Sequence, residues 1–327
     1  MAQLVTIYGG SGFLGRYIAR RMANEGWRVR VAVRRPNEAI FVRPYGVVGQ
    51  VEPVFANIRD DASVAAVMKG ADAVVNCVGT FDAFGKNNFE AVQAEGAGRI
   101  ARIAADQGIG RMVHVSAIGA DPEGPSRYAQ TKAQGERQVL EAMPQAVILR
   151  PSLLFGPEDN FFNRFAAMAR FNPVIPLVGA ATRFQPAYVD DVAAAAAMGV
   201  TGPAEPGIYE LGGPDVDTFR ELILVMLGVI RRRRFVLNVP FWMARVMAAG
   251  LDFLELASLR LFRNGTLTRD QVRQLARDNI VAEDARGFAD LGITPVSMEA
   301  VLPDYLWRFR ASGQYATMKD SARNLRG

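Results

Sequence analysis

Residues 5–15 read VTIYGGSGFLG, and this stretch decides the fold. An apolar run ends in closely spaced glycines and a helical pattern begins directly after them, which predicts a strand, a tight turn and a helix. Gly9 can adopt the positive φ of a sharp turn, Gly12 has no Cβ to keep a pyrophosphate away, and Gly15 lets the helix lie close to the strand. The free N–H groups and positive dipole end of that helix suit an anion. Because a second strand-like run follows at residues 28–33, the stretch predicts a dinucleotide-binding turn rather than a plain glycine-rich turn.

The end of the second strand indicates which dinucleotide is bound. An NAD site places a carboxylate there, roughly twenty residues after the glycines, to bind the ribose 2′-hydroxyl. This sequence has Arg34 and Arg35 instead, and a guanidinium can pair with the 2′-phosphate of NADP(H), often through two hydrogen bonds. We therefore predict NADP(H). Two alternatives stay open, namely a pair of solvated surface arginines and an NAD(H) site without a carboxylate partner.

The composition excludes several classes of protein. Half of the 327 residues are apolar, and a net charge of +5 permits nucleic acid or an anionic membrane as a partner without arguing for either. Cys77 is the only cysteine and His114 the only histidine, which excludes an intramolecular disulfide and makes a Cys/His metal site or a Ser/His/Asp hydrolase a poor fit. Nucleic-acid binding is not expected, because the basic residues are scattered apart from one arginine run without an aromatic stacking platform.

Membrane spans and targeting segments are also not expected. The sequence has no apolar run of the about eighteen residues that a spanning helix needs. The first predicted strand begins at about Leu4, which leaves no room for a signal or transit peptide. We therefore expect a chain that works where it is made, or a mature form.

Apolar strand-like runs alternate with helical stretches in the first half of the chain. The predicted strands lie at residues 5–8, 29–33, 52–55, 73–78, 112–116 and 147–149, and the predicted helices at residues 13–25, 61–68, 89–106 and 128–143. This alternation predicts an α/β fold, a Rossmann-type doubly wound parallel sheet that binds its ligand at the carboxyl ends of the strands. We assign residues 1–150 to this NAD(P)-binding domain. Residues 151–327 are assigned to a small, mostly helical C-terminal lobe that packs on it and faces a partner or a membrane.

Tyr128 and Lys132 stand four residues apart, on one face of the helix that follows the fifth strand. A nearby ammonium group can lower the pKa of a phenol, so that tyrosine acts as an acid or base in hydride transfer. Ser116, at the end of the preceding strand, could polarise the same carbonyl. A surface tyrosine and lysine are the default interpretation of such a pair, but its place in a dinucleotide fold predicts that both side chains contact the cofactor ribose.

Several motifs together resemble the extended and atypical short-chain dehydrogenase/reductase superfamily. They are the glycine turn, VHVS at 113–116, Tyr128-x-x-x-Lys132 and RPSLLFG at 150–156. A more specific set resembles the family of the 39-kDa accessory subunit of respiratory complex I, and it runs through most of the chain. This set comprises YAQTKAQGE at 128–136, LRPSLLFGPEDNFFN at 149–163, QPAYVDDV at 185–192 and LTRDQV at 267–272.

The second resemblance implies a protein that keeps the reductase fold and holds NADPH tightly without known turnover, docked on the peripheral arm of complex I near the membrane. It implies that the pyrophosphate contacts Gly9, Ser11, Gly12, Phe13 and Leu14, that the 2′-phosphate contacts Arg34, and that the adenine contacts Ile58. The nicotinamide ribose would contact Val78, Gly79 and Thr80, and its hydroxyls would contact Tyr128 and Lys132. The nicotinamide ring would contact Pro151 and Leu153. Gly10, Gly15, Arg35 and Ser116 complete the predicted cofactor site. Asn57 departs from the family pattern, because many superfamily members have an aspartate there, near the adenine.

Four arginines at residues 231–234 precede a stretch, residues 241–262, whose apolar residues recur at helical spacing. The apolar positions are Trp242, Met243, Val246, Met247, Leu251, Leu254, Leu261 and Phe262, with Arg245, Asp252 and Arg263 on the opposite face. Such a helix suits burial or shallow insertion at a lipid interface, where each arginine can add on the order of 1 kcal/mol near anionic headgroups. An ordinary core helix after a solvated basic turn is the alternative. The resemblance favours contact of residues 231–263 with membrane lipid or membrane-arm subunits.

The leading hypothesis is a non-catalytic accessory subunit of NADH:ubiquinone oxidoreductase, complex I, that holds NADPH as a structural cofactor and stabilises the junction of the peripheral and membrane arms. The lack of a mitochondrial-type presequence suggests a bacterial member, peripheral on the cytoplasmic face of the inner membrane; a mitochondrial member would lie on the matrix side. One rival is a free NADPH-dependent reductase or epimerase that uses Ser116, Tyr128 and Lys132 on a small carbonyl or sugar-nucleotide substrate. Another is a redox-sensing module that reads the NADP(H) ratio and regulates a partner.

Overall fold

The computed structural model of the chain describes residues 2–82, 85–257, 268–311 and 313. Of residues 251–257 it describes the backbone and not the side chains. Its strands are β1 (Leu4–Tyr8), β2 (Arg28–Val33), β3 (Val51–Phe55), β4 (Ala73–Asn76), β5 (Arg111–Val115), β6 (Val147–Pro151), β7 (Leu154–Phe155), β8 (Val174–Val178), β9 (Arg183–Phe184), β10 (Ala187–Tyr188), β11 (Gly207–Leu211), β12 (Asp217–Thr218) and β13 (Phe235–Val239). Its α-helices are α1 (Phe13–Asn24), α2 (Asp61–Met68), α3 (Glu95–Asp106), α4 (Arg127–Ala142), α5 (Phe162–Phe171), α6 (Val189–Thr201), α7 (Phe219–Val229), α8 (Phe241–Ala257), α9 (Arg269–Gln274) and α10 (Met298–Leu306). Helices of the 3-10 type lie at Pro36–Tyr45, Ala289–Leu291 and Trp307–Phe309, and a π-helical turn, Glu90–Ala94, leads into α3.

The described residues fall into two compact units that are discontinuous along the chain. The first lies within Met1–Ser152, Val189–Gly212 and Val281–Pro295, and the second within Leu153–Tyr188, Gly213–Ile280 and Val296–Gly327. This division differs from the single boundary that we predicted at residue 150. The reason is that α6 packs on α1, and β11 pairs in parallel with β6 along its whole length, so both elements belong with the first unit.

The first unit is built on a parallel sheet. Within the described residues it has seven strands in the order β11-β6-β5-β4-β1-β2-β3, and every neighbouring pair is parallel. Helices α2, α3 and α4 bury their apolar faces in one core cluster with the sheet, while α1 and α6 pack together and α6 contacts β4, β5 and β6. The near-continuous apolar strands are therefore covered on both faces, which confirms the predicted doubly wound α/β fold.

The second unit combines helices with short strand pairs. Its core cluster joins α5, α7 and α10 to one face of the parallel pair β8–β13. Three half-buried phenylalanine rings pack against the buried Phe219 of this cluster. The rings of Phe161, Phe165 and Phe184 lie 5.4, 5.6 and 5.8 Å from that of Phe219, measured between centroids. Helix α7 begins at a capping box, in which the side chains of Thr218 and Glu221 each bond the other's backbone N–H.

Helix α8 exposes four large apolar side chains to solvent. Its Ala244 and Ala248 are buried against Val239 and Val272, and Phe241 is half-buried beside them, whereas four other large apolar residues stay exposed. The exposed residues are Trp242, Met243, Val246 and Met247. The core-helix alternative is therefore wrong for these four residues, while Leu251, Asp252, Leu254, Leu261, Phe262 and Arg263 lie outside the side chains that the structure describes. Among the described helices, none has the length and apolar character that crossing a bilayer requires.

Candidate dinucleotide site

The glycine turn has the backbone geometry that the sequence predicts. Strand β1 ends at Tyr8, Gly9 turns the chain with a φ of +76°, and its N–H donates to the carbonyl of Ala32 at 3.0 Å. Gly12 then occupies the N-cap of α1, where no side chain caps the helix. The first turn of α1 therefore keeps backbone N–H groups for a bound anion.

Steric contacts explain why glycine is needed at the last position of the turn. A Cβ on Gly15 would lie 2.4 Å from the carbonyl oxygen of Gly9 and 2.7 Å from the Cα of Gly10, and both are backbone atoms that cannot rotate away.

Arg16, which sequence reasoning missed, donates to the carbonyls of Ser11 and Gly12 at 3.2 and 3.3 Å. Its only sequence signal was its place directly after the glycines. It places a fixed positive charge beside the turn.

The two arginines after β2 have different surroundings. Arg35 forms an exposed ion pair with Glu38, with 3.0 Å between Nη1 and Oε1. Arg34 is exposed and makes no hydrogen bond or ion pair with any residue that the structure describes. Since Arg34 has no carboxylate partner of its own, its guanidinium is the one that can meet a phosphate.

The predicted triad consists of Ser116, Tyr128 and Lys132. Ser116 lies at the carboxyl end of β5, and the other two residues lie on α4. Ser126 caps α4 by accepting from the N–H of Ala129, which fixes the turn that carries Tyr128. The ammonium group of Lys132 is buried, lies 6.0 Å from the centre of the Tyr128 ring and donates to the carbonyl of Val115 at 3.1 Å. Ser116 Oγ is buried too, and it has no hydrogen-bond partner among the described residues.

Aromatic contacts and burial set the chemistry of the Tyr128 phenol. Phe81 stacks on its ring at 5.6 Å with an interplanar angle of 7°, and Phe89 meets it edge-on at 5.9 Å. Burial raises the pKa of Tyr128 to about 12, and burial lowers the pKa of Lys132 to about 8. The phenol pKa thus moves in the opposite direction from the one we predicted, because desolvation outweighs any effect of the ammonium group. Phe81 was missed in the sequence, since its partner lies far along the chain.

Hydrogen bonds hold the segment after β4 beside Lys132. Asn76 Oδ1 accepts from the N–H of Val78 at 3.1 Å, and Gln93 Nε2 donates to the carbonyl of Thr80 at 2.7 Å. Gln93 in turn accepts from Thr131 of α4 at 3.0 Å. A Cβ on Gly79 would lie 4.0 Å from Lys132 Nζ, so the structure brings the predicted ribose-binding residues Val78, Gly79 and Thr80 next to the triad.

The other residues of the predicted site lie on several separate segments of the chain. Ile58 lies at the start of the segment before α2, where its side chain packs against Gly96. Asn57 Oδ1 accepts from the N–H of Arg59, so this amide serves a local turn. Pro151 ends β6 and is buried in the first unit, whereas Leu153 belongs to the second unit. No metal cluster of His, Cys, Asp or Glu occurs among the residues that the structure describes.

Together, the sheet, the uncapped glycine turn and the orphaned Ser116 hydroxyl fit a nicotinamide dinucleotide, and they define the short-chain dehydrogenase/reductase class. Residues 5–212 match the NAD dependent epimerase/dehydratase family. Subunit 9 of the NADH dehydrogenase (ubiquinone) 1 alpha subcomplex, a mitochondrial protein of Arabidopsis thaliana, is 35% identical over 321 residues, which cover 95% of this chain and 79% of that protein. The chain therefore belongs to the epimerase/dehydratase family and, within it, to the family of this complex I subunit, as the sequence motifs predicted.

Two further comparisons show how widely the fold is shared. A ceramide reductase of Caulobacter vibrioides is 34% identical over 191 residues, which cover 58% of this chain and 59% of that protein. The crystal structure of the Bordetella bronchiseptica enzyme WbmH in complex with NAD+ has a TM-score of 0.69 and 16% identity, and the match covers 96% of this chain and all of that one (100%). The latter likeness concerns the fold alone.

Proposed function

We propose that this chain is a non-catalytic accessory subunit of NADH:ubiquinone oxidoreductase that holds NADPH as a structural cofactor and stabilises the junction of the peripheral and membrane arms. The observation that carries the proposal is the 35% identity with a complex I subunit over 95% of the chain. Its partners are the other subunits of complex I. In a bacterium the chain would be peripheral on the cytoplasmic face of the inner membrane, and in a mitochondrion on the matrix side.

The choice of NADPH over NADH rests on Arg34. No carboxylate ends β2, and Arg34 is exposed without a protein partner among the described residues, whereas Arg35 is held by Glu38. A free guanidinium at this place favours the 2′-phosphate. The glycine turn would bind the pyrophosphate, Val78, Gly79 and Thr80 the nicotinamide ribose, and Tyr128 and Lys132 its hydroxyls. Bound NADPH would supply a hydride.

The state of Tyr128 supports a structural cofactor. A proton donor in hydride transfer works best with a pKa near the working pH. Burial instead raises the pKa of this phenol to about 12, and Phe81 covers one face of its ring. A ligand present at about a hundred times its dissociation constant adds about 2.7 kcal/mol to the folded state, which is a sufficient reason to keep a nucleotide that does not react.

A free reductase or epimerase is the second candidate, and one observation favours it. The side chains of Ser116, Tyr128 and Lys132 are all present, and the buried Ser116 hydroxyl has no protein partner among the described residues, as expected of a group that binds a carbonyl. The ceramide reductase similarity lends weight to this alternative over the part of the chain that it covers.

The first experiment is a gentle detergent extraction of native membranes followed by blue-native separation. We expect the chain to migrate with complex I and to carry one NADPH that survives washing, identified by absorbance and mass spectrometry. Arg34→Gln should lose NADPH, while the matched control Arg35→Gln should keep it. A free chain with exchangeable nucleotide, or a complex that keeps its stability and quinone reductase activity without this chain, would contradict the proposal.

A further inference from the structure

An arginine-lined cavity lies at the C-terminal end of α7 in the second unit. It has a volume of about 510 Å³ and is lined by Leu224, Leu227, Gly228 and the four arginines at 231–234. This volume lies within the range of small-molecule sites in proteins. None of the described residues that line it is acidic, so the cavity combines an apolar wall with a concentrated positive charge.

The backbone keeps the arginines close together at some cost. Arg231 has a φ of +53°, the left-handed conformation, at the position where helices usually end with glycine. The N–H groups of Arg231 and Arg232 close the turn on the carbonyls of Gly228 and Leu227, both at 3.1 Å. A left-handed conformation in a residue other than glycine is unfavourable. Glycine would end α7 with less strain, but it would remove a cation from the cavity.

Two of the guanidinium groups donate to backbone carbonyls, and Arg234 does so through two nitrogens, since its Nη1 also donates to the carbonyl of Arg233 at 2.9 Å. Arg232 Nε donates to the carbonyl of Phe309 at 3.0 Å, and Arg234 Nε donates to the carbonyl of Ala169 at 2.8 Å. Capping of helix ends accounts for these two bonds. It does not account for Arg233, whose exposed side chain makes no hydrogen bond or ion pair with a described residue. Within the described part of the chain, none of these three arginines pairs with a carboxylate.

The surroundings of the cavity are apolar rather than polar. Leu224 on its wall is 47% exposed. Phe235, the residue after Arg234, is 65% exposed and lies opposite the exposed Val174 in the β8–β13 register. A soluble phosphate would gain nothing from these residues, whereas an amphiphile with an anionic head would gain from both parts.

We infer that this cavity binds the phosphate-bearing headgroup of an anionic phospholipid, with Leu224 and Phe235 against its acyl chains. Guanidinium forks bind phosphate oxygens through paired hydrogen bonds. The inference refines the membrane-facing part of the proposed function. It is tested on the isolated chain with protein-free vesicles, so that its failure leaves the complex I assignment standing.

The test is flotation of the full chain with phosphatidylcholine vesicles, with or without an equal share of phosphatidylglycerol. Binding should require the anionic lipid. Arg233→Glu changes the charge by two units at an exposed side chain that makes no hydrogen bond or ion pair with a described residue, so folding should be unaffected. The partition constant should fall about 25-fold, because each charge contributes about fivefold. Arg28→Glu is the matched control, exposed in the first unit, and should change it less than about twofold.

Three results would overturn the inference. Equal binding to phosphatidylcholine alone would remove the role of the headgroup charge. Equal losses in the two variants would mean that net charge, not the cavity, attracts the vesicles. Complete displacement by free glycerol phosphate at constant ionic strength would identify a site for a soluble anion.

Discussion

Two of the parallel sheets that the structure describes, the seven-stranded sheet and the β8–β13 pair, differ in how their faces are covered. In the first unit every residue of β1 and β4 is buried, because helices lie on both sides. In the β8–β13 pair of the second unit one face enters the core, while most of the other face is exposed. Ile175, Leu177 and Val236 enter the core, while Val174, Pro176, Phe235 and Leu237 are exposed.

Strand composition does not explain this difference. The sequences VIPLV of β8 and FVLNV of β13 are apolar at every position except Asn238, as expected of covered parallel strands. Parallel sheets occur almost only with both faces covered. One end of this face, at Val178 and Val239, packs against α8. The remaining open face, formed by Val174, Pro176, Phe235 and Leu237, has no cover among the described residues, which agrees with a subunit or lipid interface on this unit.

The largest expected effect concerns an ion network at the edge of the covered sheet. Arg150 on β6 binds Glu136 of α4 at 2.7 Å and Glu210 of β11 at 3.2 Å, and both carboxylates are largely buried. Arg150→Met leaves two largely buried carboxylates without their guanidinium partner and should lower the free energy of unfolding by about 3–5 kcal/mol. Arg137→Met removes an exposed pair with Glu141 and should cost less than about 1 kcal/mol. Urea denaturation measures the free energy of unfolding of both variants. Similar decreases in the two variants would contradict the argument that burial makes the Arg150 ion pairs more important.

The second effect concerns the close approach of α1 to the glycine turn. Gly15→Ala places a methyl group 2.4 Å from the Gly9 carbonyl oxygen and should cost about 3 kcal/mol, with loss of bound nucleotide. Gly110→Ala, in a loop of the same unit with open space around it, should cost less than about 0.5 kcal/mol. Thermal unfolding and nucleotide content are the measurements. Normal nucleotide content in Gly15→Ala would disprove the steric role of this glycine.

The third effect is the pH dependence of the covered sheet. Burial, with the nearby Lys132 cation, lowers the pKa of His114 on β5 to about 3, whereas the unfolded chain takes up that proton near 6.5. Between these values the unfolded state holds one more proton, so stability falls as the pH falls, by about 1.4 kcal/mol per unit below about pH 6.5. Denaturation at pH 7, 6 and 5 checks this slope, and His114→Gln should remove it. A wild-type stability that is constant from pH 7 to pH 5 would contradict the prediction.

The smallest effect on stability is expected on the open sheet. Phe235→Thr should change the free energy of unfolding by less than about 0.5 kcal/mol, because the side chain is exposed. Val31→Thr, on the covered strand β2, buries a hydroxyl and should cost about 1–3 kcal/mol. Retention of the chain on washed membranes should show the reverse order, with Phe235→Thr the weaker binder. Equal retention of the two variants would mean that the open face has no cover.

Local patterns predicted most of the covered sheet and little of what surrounds it. The strands of the first half and the glycine turn follow from apolar runs and from backbone freedom at Gly9, which are properties of neighbouring residues. The place of β11 was missed, because its partner β6 lies some sixty residues away in the sequence. The stacking of Phe81 on Tyr128 was missed for the same reason. The direction of the Tyr128 pKa shift was also missed, since desolvation depends on the whole neighbourhood and not on one spacing.

The pairing of β11 with β6 has a consequence for synthesis of the chain. The two strands are sixty residues apart at Arg150 and Glu210, and the first segment of the second unit is translated between them. While the ribosome makes that segment, β6 is an unpaired edge, and exposed strand edges are templates for aggregation. A nascent chain released before residue 211 would leave that edge open. Premature termination in this interval is therefore more hazardous to the cell than termination shortly after it.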